Sequence, residues 1–263
     1  MATFVSEGVE LLTERMEELD VLLAEADRYA AGTSRLYPAL CRSIQVLAVS
    51  HFEGYIKDLV KNVLDDINSR DGFRESSRSL KFTFCKNFIA PLLNGKPNHS
   101  KILELITVFD LLKTKFNASY FYEANKNPKE SILNKIAENF GEDALFSKLN
   151  HSELIAVFSN THTENLEMRD SIKARLSSSI DVFPYLIDDI ILNVDVTNQT
   201  RETYWETFIQ TILAERHKIA HGNLENSNSH VTIRSNIIKL EILLLAITYL
   251  LSQRGNPVVG VVS

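Results

Sequence analysis

From Val5 onward apolar residues return at steps of three and four, at Val9, Leu12, Met16, Leu19, Leu22 and Ala26, with Glu10, Glu14, Glu17 and Glu18 largely between them. That is the period of a helix with one face turned to a core, and it predicts a first helix ending near Ala30. Gly32 and Thr33 break the pattern, and Ser34 stands where it can cap a second, longer helix. The stripe of that helix continues through Leu40, Ile44, Leu47, Phe52, Tyr55, Ile56, Leu59, Val63 and Ile67 until the polar run Asn68 to Gly72. The same period governs the other end of the chain. Trp205, Phe208, Ile209, Ile212 and Leu213 mark one face of a helix that ends near Gly222. A last helix spans about Ser229 to Gln253 and is apolar on nearly every face from Ile242 to Ile247, as expected of a helix buried in a bundle or at a subunit contact. With only nine glycines and six prolines in 263 residues, few tight turns are available. The fold class is therefore all-α.

Between these ends the pattern is less regular, with breaks at Asn94-Gly95-Lys96-Pro97, Asn125-Lys126-Asn127-Pro128 and Asn139-Phe140-Gly141. Helices are expected over Ser131 to Phe140, Ser152 to Asn160 and Arg169 to Ile191. Leu80, Phe82 and Phe84 alternate with Lys81 and Thr83, which leaves a short strand open as an alternative there. No repeat, low-complexity tract or flexible linker divides the chain. One domain over residues 1–263 is expected, with core helices at about 5–70 and 198–253 and a variable helical insert at about 71–197.

Hydrophobic residues make up 44% and charged residues 24%, which is ordinary globular usage and excludes a disordered or fibrous chain. Cys41 and Cys85 are too few for a disulfide framework, and a reducing cytoplasm fits them. Glu7 and Glu10 interrupt the apolar N-terminus, unlike a secretory signal. The run Leu240 to Leu251 contains Glu241 and Thr248 and is shorter than the roughly 20 residues of a membrane span, so it reads as a core helix. A net charge of -6 argues against broad adhesion to nucleic acid but leaves room for a local basic site.

Such a site is visible in the next-to-last helix. At 100° per residue Arg216 falls in the middle of the stripe defined by Trp205, Phe208, Ile209 and Ile212. An unpaired buried guanidinium costs several kcal/mol, so either a carboxylate from a neighbouring helix or an anion in an opening of the bundle must meet it. Five residues later His221 precedes Gly222, whose freedom to adopt a left-handed conformation terminates the helix. On an ideal helix His221 lies about 140° from Arg216, and the turn at Gly222 is where that angle can close. An imidazole suits acid–base chemistry.

Arg216-His217-Lys218-Ile219-Ala220-His221-Gly222 resembles the defining motif of HEPN nucleases, an Arg and a polar residue followed after a short spacer by a His near a helix end. The segment Ser50-His51-Phe52-Glu53-Gly54-Tyr55-Ile56-Lys57 is similar to one carried by many bacterial HEPN-like nucleases before their catalytic helices. The resemblance implies a four-helix bundle core from the N- and C-terminal helix pairs, with extra helices between them. It further implies a metal-independent endoribonuclease of toxin–antitoxin or antiviral defence type, in which Arg216 holds the scissile phosphate and His221 acts as general acid or base while the ribose 2′-OH attacks. His217 would assist, Glu53 would support Arg216, and Lys218 and Asn223 would touch the RNA backbone. RNA, a second copy of the chain in a homodimer, and a cognate antitoxin or defence-system protein are the implied partners, with no cofactor and no metal.

Each residue also has a plainer reading. Arg216 can be a structural ion pair to a core carboxylate such as Glu53, and His221 a cap on terminal carbonyls. Glu53 can pair with Lys57 one turn on, and His217, Lys218 and Asn223 can simply be solvated. His51 reads as a packed or surface residue, and His99, His151, His162 and His230 lack metal-ligand spacing. Phosphate-loop, dinucleotide and Gly-x-Ser-x-Gly motifs are absent. The rival to a nuclease is a non-catalytic HEPN helical module that binds nucleotide, RNA or a partner protein.

Overall fold

The computed structural model describes residues 2–70, 72–92, 97–122, 128–187, 202–223 and 228–257. Among these it has α1 (Phe4–Arg28), α2 (Leu36–Asn68), α3 (Arg78–Ile89), α4 (His99–Leu111), α5 (Glu130–Asn139), α6 (Leu145–His151), α7 (His162–Ile180), α8 (Tyr204–Ala220) and α9 (His230–Gly255), with no strand. The all-α reading holds.

Both N-terminal helices form where their stripes lie. Thr3 caps α1 by accepting the Ser6 N–H, and the stripe Val5, Val9, Leu12, Met16 and Leu19 is buried against α2. The far end of α2 closes the same cap. The Asp66 carboxylate accepts the N–H groups of Phe4 at 2.8 Å and Val5 at 3.0 Å, and the Tyr185 hydroxyl at 2.7 Å. A negative group at a helix N-terminus is well placed against the helix dipole, although burial pushes the Asp66 pKa up against these hydrogen bonds.

The last helix is the axis of the core. Every residue from Leu240 to Ser252 is buried, and α1, α2 and α7 pack around it. It is the one described helix long and apolar enough to cross a membrane, yet 83% of that stretch is covered by the rest of the chain. Two of its buried polar residues find partners, while the Ser252 Oγ has none among the described residues. Thr248 pairs with the Tyr55 hydroxyl at 2.7 Å, and Glu241 faces Arg169 of α7 at 3.5 Å. At its end Gly255 lies so close to α2 that a Cβ would come within 2.7 Å of Val63. The core thus draws α7 from the segment expected to be a variable insert.

The middle of the chain departs from expectation in detail. Leu80 to Phe84 is helical, because Leu80 and Phe84 are one turn apart on a buried face and Ser77 caps the helix by accepting the Leu80 N–H. Glu153–Phe158 is a 3₁₀ helix rather than an α-helix, and α7 starts at His162 and ends at Ile180 rather than running from Arg169 to Ile191. Its early start follows from a capping box between Thr161 and Glu164. The expected end at Ile191 and the breaks at Asn94 to Lys96 and Asn125 to Asn127 lie outside the described residues.

Polar clamps fix the insert to the bundle. Asn68, the last residue of α2, accepts the Phe116 N–H at 2.8 Å and donates to the Phe116 carbonyl at 2.9 Å. Buried Glu142 accepts from Lys148 and from Arg254 of α9, both at 2.7 Å. Burial alone would raise the Glu142 pKa, but these hydrogen bonds and charges outweigh it and hold the carboxyl below its ordinary value. A carboxyl lowered on folding contributes stability that is present above its unfolded pKa and is lost as pH falls through the folded one. Glu142→Gln is therefore expected to destabilise the protein at pH 7 by about 1.5–3 kcal/mol. Denaturant melts should show that this deficit shrinks as the pH is lowered into the carboxylate range.

Candidate active site at the end of α8

Helix α8 begins with a capping box in which Thr203 accepts the Glu206 N–H and Glu206 accepts the Thr203 N–H. Its first three turns bury Trp205, Phe208, Ile209 and Ile212, packed on α2, α5 and α6. Beyond Ile212 that burial fades, and Arg216 and Ile219 are half-buried while His217, Lys218, His221 and Asn223 are exposed. All the sequence-derived site residues except Glu53, which lies on α2, thus gather on one helix end, where the bundle opens to solvent.

The backbone there is held by a Schellman motif. The Gly222 N–H donates to the Ile219 carbonyl at 3.0 Å and the Asn223 N–H to the Lys218 carbonyl at 3.1 Å, with Gly222 at φ +85°. His221 occupies the helix-capping position itself, with φ -90° and ψ 16°. The result is a pairing of rings one helical turn apart: the His217 and His221 ring centroids are 4.2 Å apart, with an interplanar angle of 60°. His221 therefore sits against His217, and its cap is made by backbone N–H and not by its imidazole.

Arg216 is not locked against an acid. No hydrogen bond or ion pair engages it among the described residues, and its Nε is buried without a partner. The ion pair to Glu53 is not formed, nor does Glu53 pair with Lys57; one Glu53 oxygen, Oε1, is likewise buried and unpartnered. The carboxylate instead stands near Tyr122, whose pKa is raised by burial first and then by the charge of Glu53. An unsatisfied buried polar atom carries a cost, and an anion meeting the Arg216 guanidinium would relieve it there.

Several contributors escaped the sequence. Asn228 donates to Glu215 at 2.7 Å and to Gln45 at 3.1 Å, tying the approach to α9 onto both α8 and α2. His230, unassigned in the sequence, is a fastener. Its Nε2 lies 2.9 Å from Asp27 and its Nδ1 3.1 Å from the Tyr37 hydroxyl, which joins the start of α9 to the end of α1 and the start of α2. His51 is the packed residue expected, 3.1 Å from Glu18 on α1. The only sequence signal for these contacts is the residue type, since each pair is distant along the chain.

An open groove of about 580 Å³, lined by Arg42, Val46, Leu47 and Ile219 among others, runs along α2 beside the last turn of α8. A smaller cavity of about 30 Å³ between Val49, Ile212, Glu215 and Ile237 has room for little more than a water. Among the described residues no three His, Cys, Asp or Glu side chains come together as a metal site.

A family model described as RiboL-PSP-HEPN matches residues 10–253, which takes in both helix pairs and everything between them. No curated protein and no solved structure matches the chain significantly.

The geometry of the turn generates a stability test. A Cβ on Gly222 would meet nothing within 4 Å, so the constraint there is the left-handed backbone alone. Gly222→Ala should cost about 1–2 kcal/mol, and Gly222→Asn less, because asparagine tolerates that conformation. Equal losses in urea unfolding would show that the turn is not held as described.

Proposed function

The chain belongs to the RiboL-PSP-HEPN family, and on that premise we propose that it is a metal-independent endoribonuclease whose site is the end of α8. The observation that carries this reading is the exposed His217–His221 pair, with ring centroids 4.2 Å apart, beside an arginine engaged by no carboxylate among the described residues. A helix that needed Arg216 only for structure would pair it with an acid, because a buried charge left alone is costly.

The chemistry assigns each group a task. Arg216 holds a non-bridging oxygen of the scissile phosphate through its guanidinium. One imidazole accepts the proton of the ribose 2′-OH as that oxygen attacks phosphorus, and a second donates a proton to the departing 5′-oxygen. The products are a 2′,3′-cyclic phosphate and a 5′-hydroxyl. A base and an acid are needed on opposite sides of phosphorus. His221 takes one role, and the other falls to His221 of a second protomer in a homodimer, since the His217 ring, 4.2 Å from that of His221, leaves no room for phosphorus between them and can only orient its neighbour or the phosphate. Lys218 and Asn223, exposed on the same turn, are suited to the flanking phosphates. Glu53 acts on this site only at a distance, through the packing of α2 and Tyr122. The requirement for a 2′-OH restricts the substrate to RNA. A toxin or antiviral effector held in check by an antitoxin or defence-system protein, acting in the cytoplasm, is the setting that fits an acidic chain with one small cationic site.

Purified protein incubated with RNA in EDTA should yield fragments ending in 2′,3′-cyclic phosphate. His221→Ala should lower the rate by roughly 10²–10⁴-fold, and a 2′-deoxy substitution at the cleaved position should abolish it. Because both imidazoles are exposed, His217→Ala and His221→Ala should change stability by no more than about 0.5 kcal/mol, so a loss of cleavage cannot be blamed on unfolding. Wild-type protein that binds RNA but never cuts it would support the non-catalytic module instead.

A further inference from the structure

The open groove beside α8 has a direction. It encloses about 580 Å³ between Ile219, in the last turn of α8, and the stretch of α2 from Ala39 to Ser50. At about 1.5 Å per residue that stretch runs for about 16 Å. The small cavity between α2, α8 and α9 uses a different strip of α2, through Gln45, Ala48 and Val49, and meets Glu215 of α8 and Ile233 and Ile237 of α9. Helix α9 therefore covers the Glu215 flank of α8. No residue of α9 lines the groove among the described residues. At about 100° per residue, Glu215 and His217 leave α8 on opposite sides of Arg216. The groove thus lies on the flank of His217 and runs on from the candidate site.

Its surface combines two chemistries. Ala39, Val46, Leu47 and Ile219 make an aliphatic floor, each of them half-buried and so still open to an occupant. Ser43 and Ser50 stand exposed at the rim, and half-buried Arg42 supplies a positive charge. No carboxylate lines the groove among the described residues, although the chain as a whole carries a net charge of -6. An acidic protein that keeps its acids out of one groove leaves that groove open to an anion. The floor suits something flat and apolar, and the cation beside it suits something negative. Next to a site for a scissile phosphate, the adjoining nucleotide of the same strand meets both demands.

We propose that this groove carries the RNA strand next to the scissile phosphate as an unpaired single strand, with a base laid on Val46, Leu47 and Ile219 and a phosphate on Arg42. The inference rests on the end of α8 engaging RNA, and it adds a demand that the site alone does not make. In a duplex each base face is covered by its neighbours in the stack, and only an unpaired nucleotide turns its face onto a protein surface. An aliphatic floor accepts the face of any base, and a serine hydroxyl both donates and accepts. The groove therefore selects for an unpaired strand and not for a sequence.

The experiment is fluorescence anisotropy of labelled RNA with the full-length His221→Ala protein in EDTA, so that binding is read without cleavage. A single-stranded dodecamer of mixed sequence should bind, and a blunt duplex of the same sequence at least roughly tenfold more weakly. Ser43→Asp combined with Ser50→Asp puts charge only on exposed positions. It should weaken the single strand by about tenfold or more, with melting temperature and molecular mass unchanged. Arg42→Ala should lower the slope of log affinity against log salt by about 0.7, as for one phosphate contact on a single strand. If the aspartate variant fails to fold, the duplex comparison and the Arg42→Ala slope decide. No binding of the single strand, equal affinity for the duplex, or a rim variant that binds as tightly as its parent would each overturn the assignment. A rim variant that changes the oligomeric mass and leaves RNA affinity intact would give the groove to a second copy of the chain instead. Failure of the nuclease reading is separable: single-strand binding of this pattern with no cleavage by the chain that retains His221 removes that reading alone. Undiminished cleavage by the rim variant in that chain removes the groove alone.

Discussion

A helix that is apolar on every side exists in water only if other helices surround it, and α9 imposes that demand on the whole chain. From Leu240 to Ser252 it has no face to give to solvent, so α1, α2 and α7 are all recruited around it. The hydrophobic gain is large and undirected, and register comes from the few polar atoms on the same helix. Thr248 must find the Tyr55 hydroxyl, Glu241 must find Arg169, and Gly255 must meet Val63 where no larger residue fits. These contacts set the rotation of α9 and, with it, the place where its N-terminus meets α1 and α2 through His230.

The candidate site arises where this demand relaxes. Helix α8 does not share the full burial of α9, and after Ile212 its stripe leads out of the core. An arginine there is half-covered without being matched, and two histidines reach water one turn apart. Gly222 then stops the helix in a backbone conformation that leaves His221 as the cap, bringing its ring onto His217. Asn228 returns the chain to the bundle by bridging Glu215 and Gln45. Rigidity before the site and after it, with exposure between, is the arrangement from which a reactive segment benefits.

The insert has a core logic of its own. Phe73 before α3, Phe109 of α4 and Phe116 after it pack edge to face around Phe84, and Asn68 fastens that cluster to the end of α2. Aromatic packing of this sort fixes ring orientations as well as burying area. Glu142 makes the second attachment, from the insert to α9. These two polar contacts add to the packing of α7 on α9 and α1 and of α5 and α6 on α8.

Period and punctuation in the sequence were sufficient for the all-α fold, for both helix pairs and for the cluster Arg216, His217, His221 and Gly222, because these features are written in residues a few positions apart. The capping box at Thr161 and Glu164 was equally local, and α7 begins where it dictates. Sequence also gave the oddity of Arg216 on an apolar stripe, but not its resolution. Whether that guanidinium meets Glu53, whether Glu53 turns to Tyr122, and whether α7 belongs to the core depend on residues dozens of positions apart, brought together only when α9 is enclosed. A side chain's periodic position tells which way it leaves its own helix; what it meets there is decided by the rotation and translation of every other helix, and that information exists only in the packed structure.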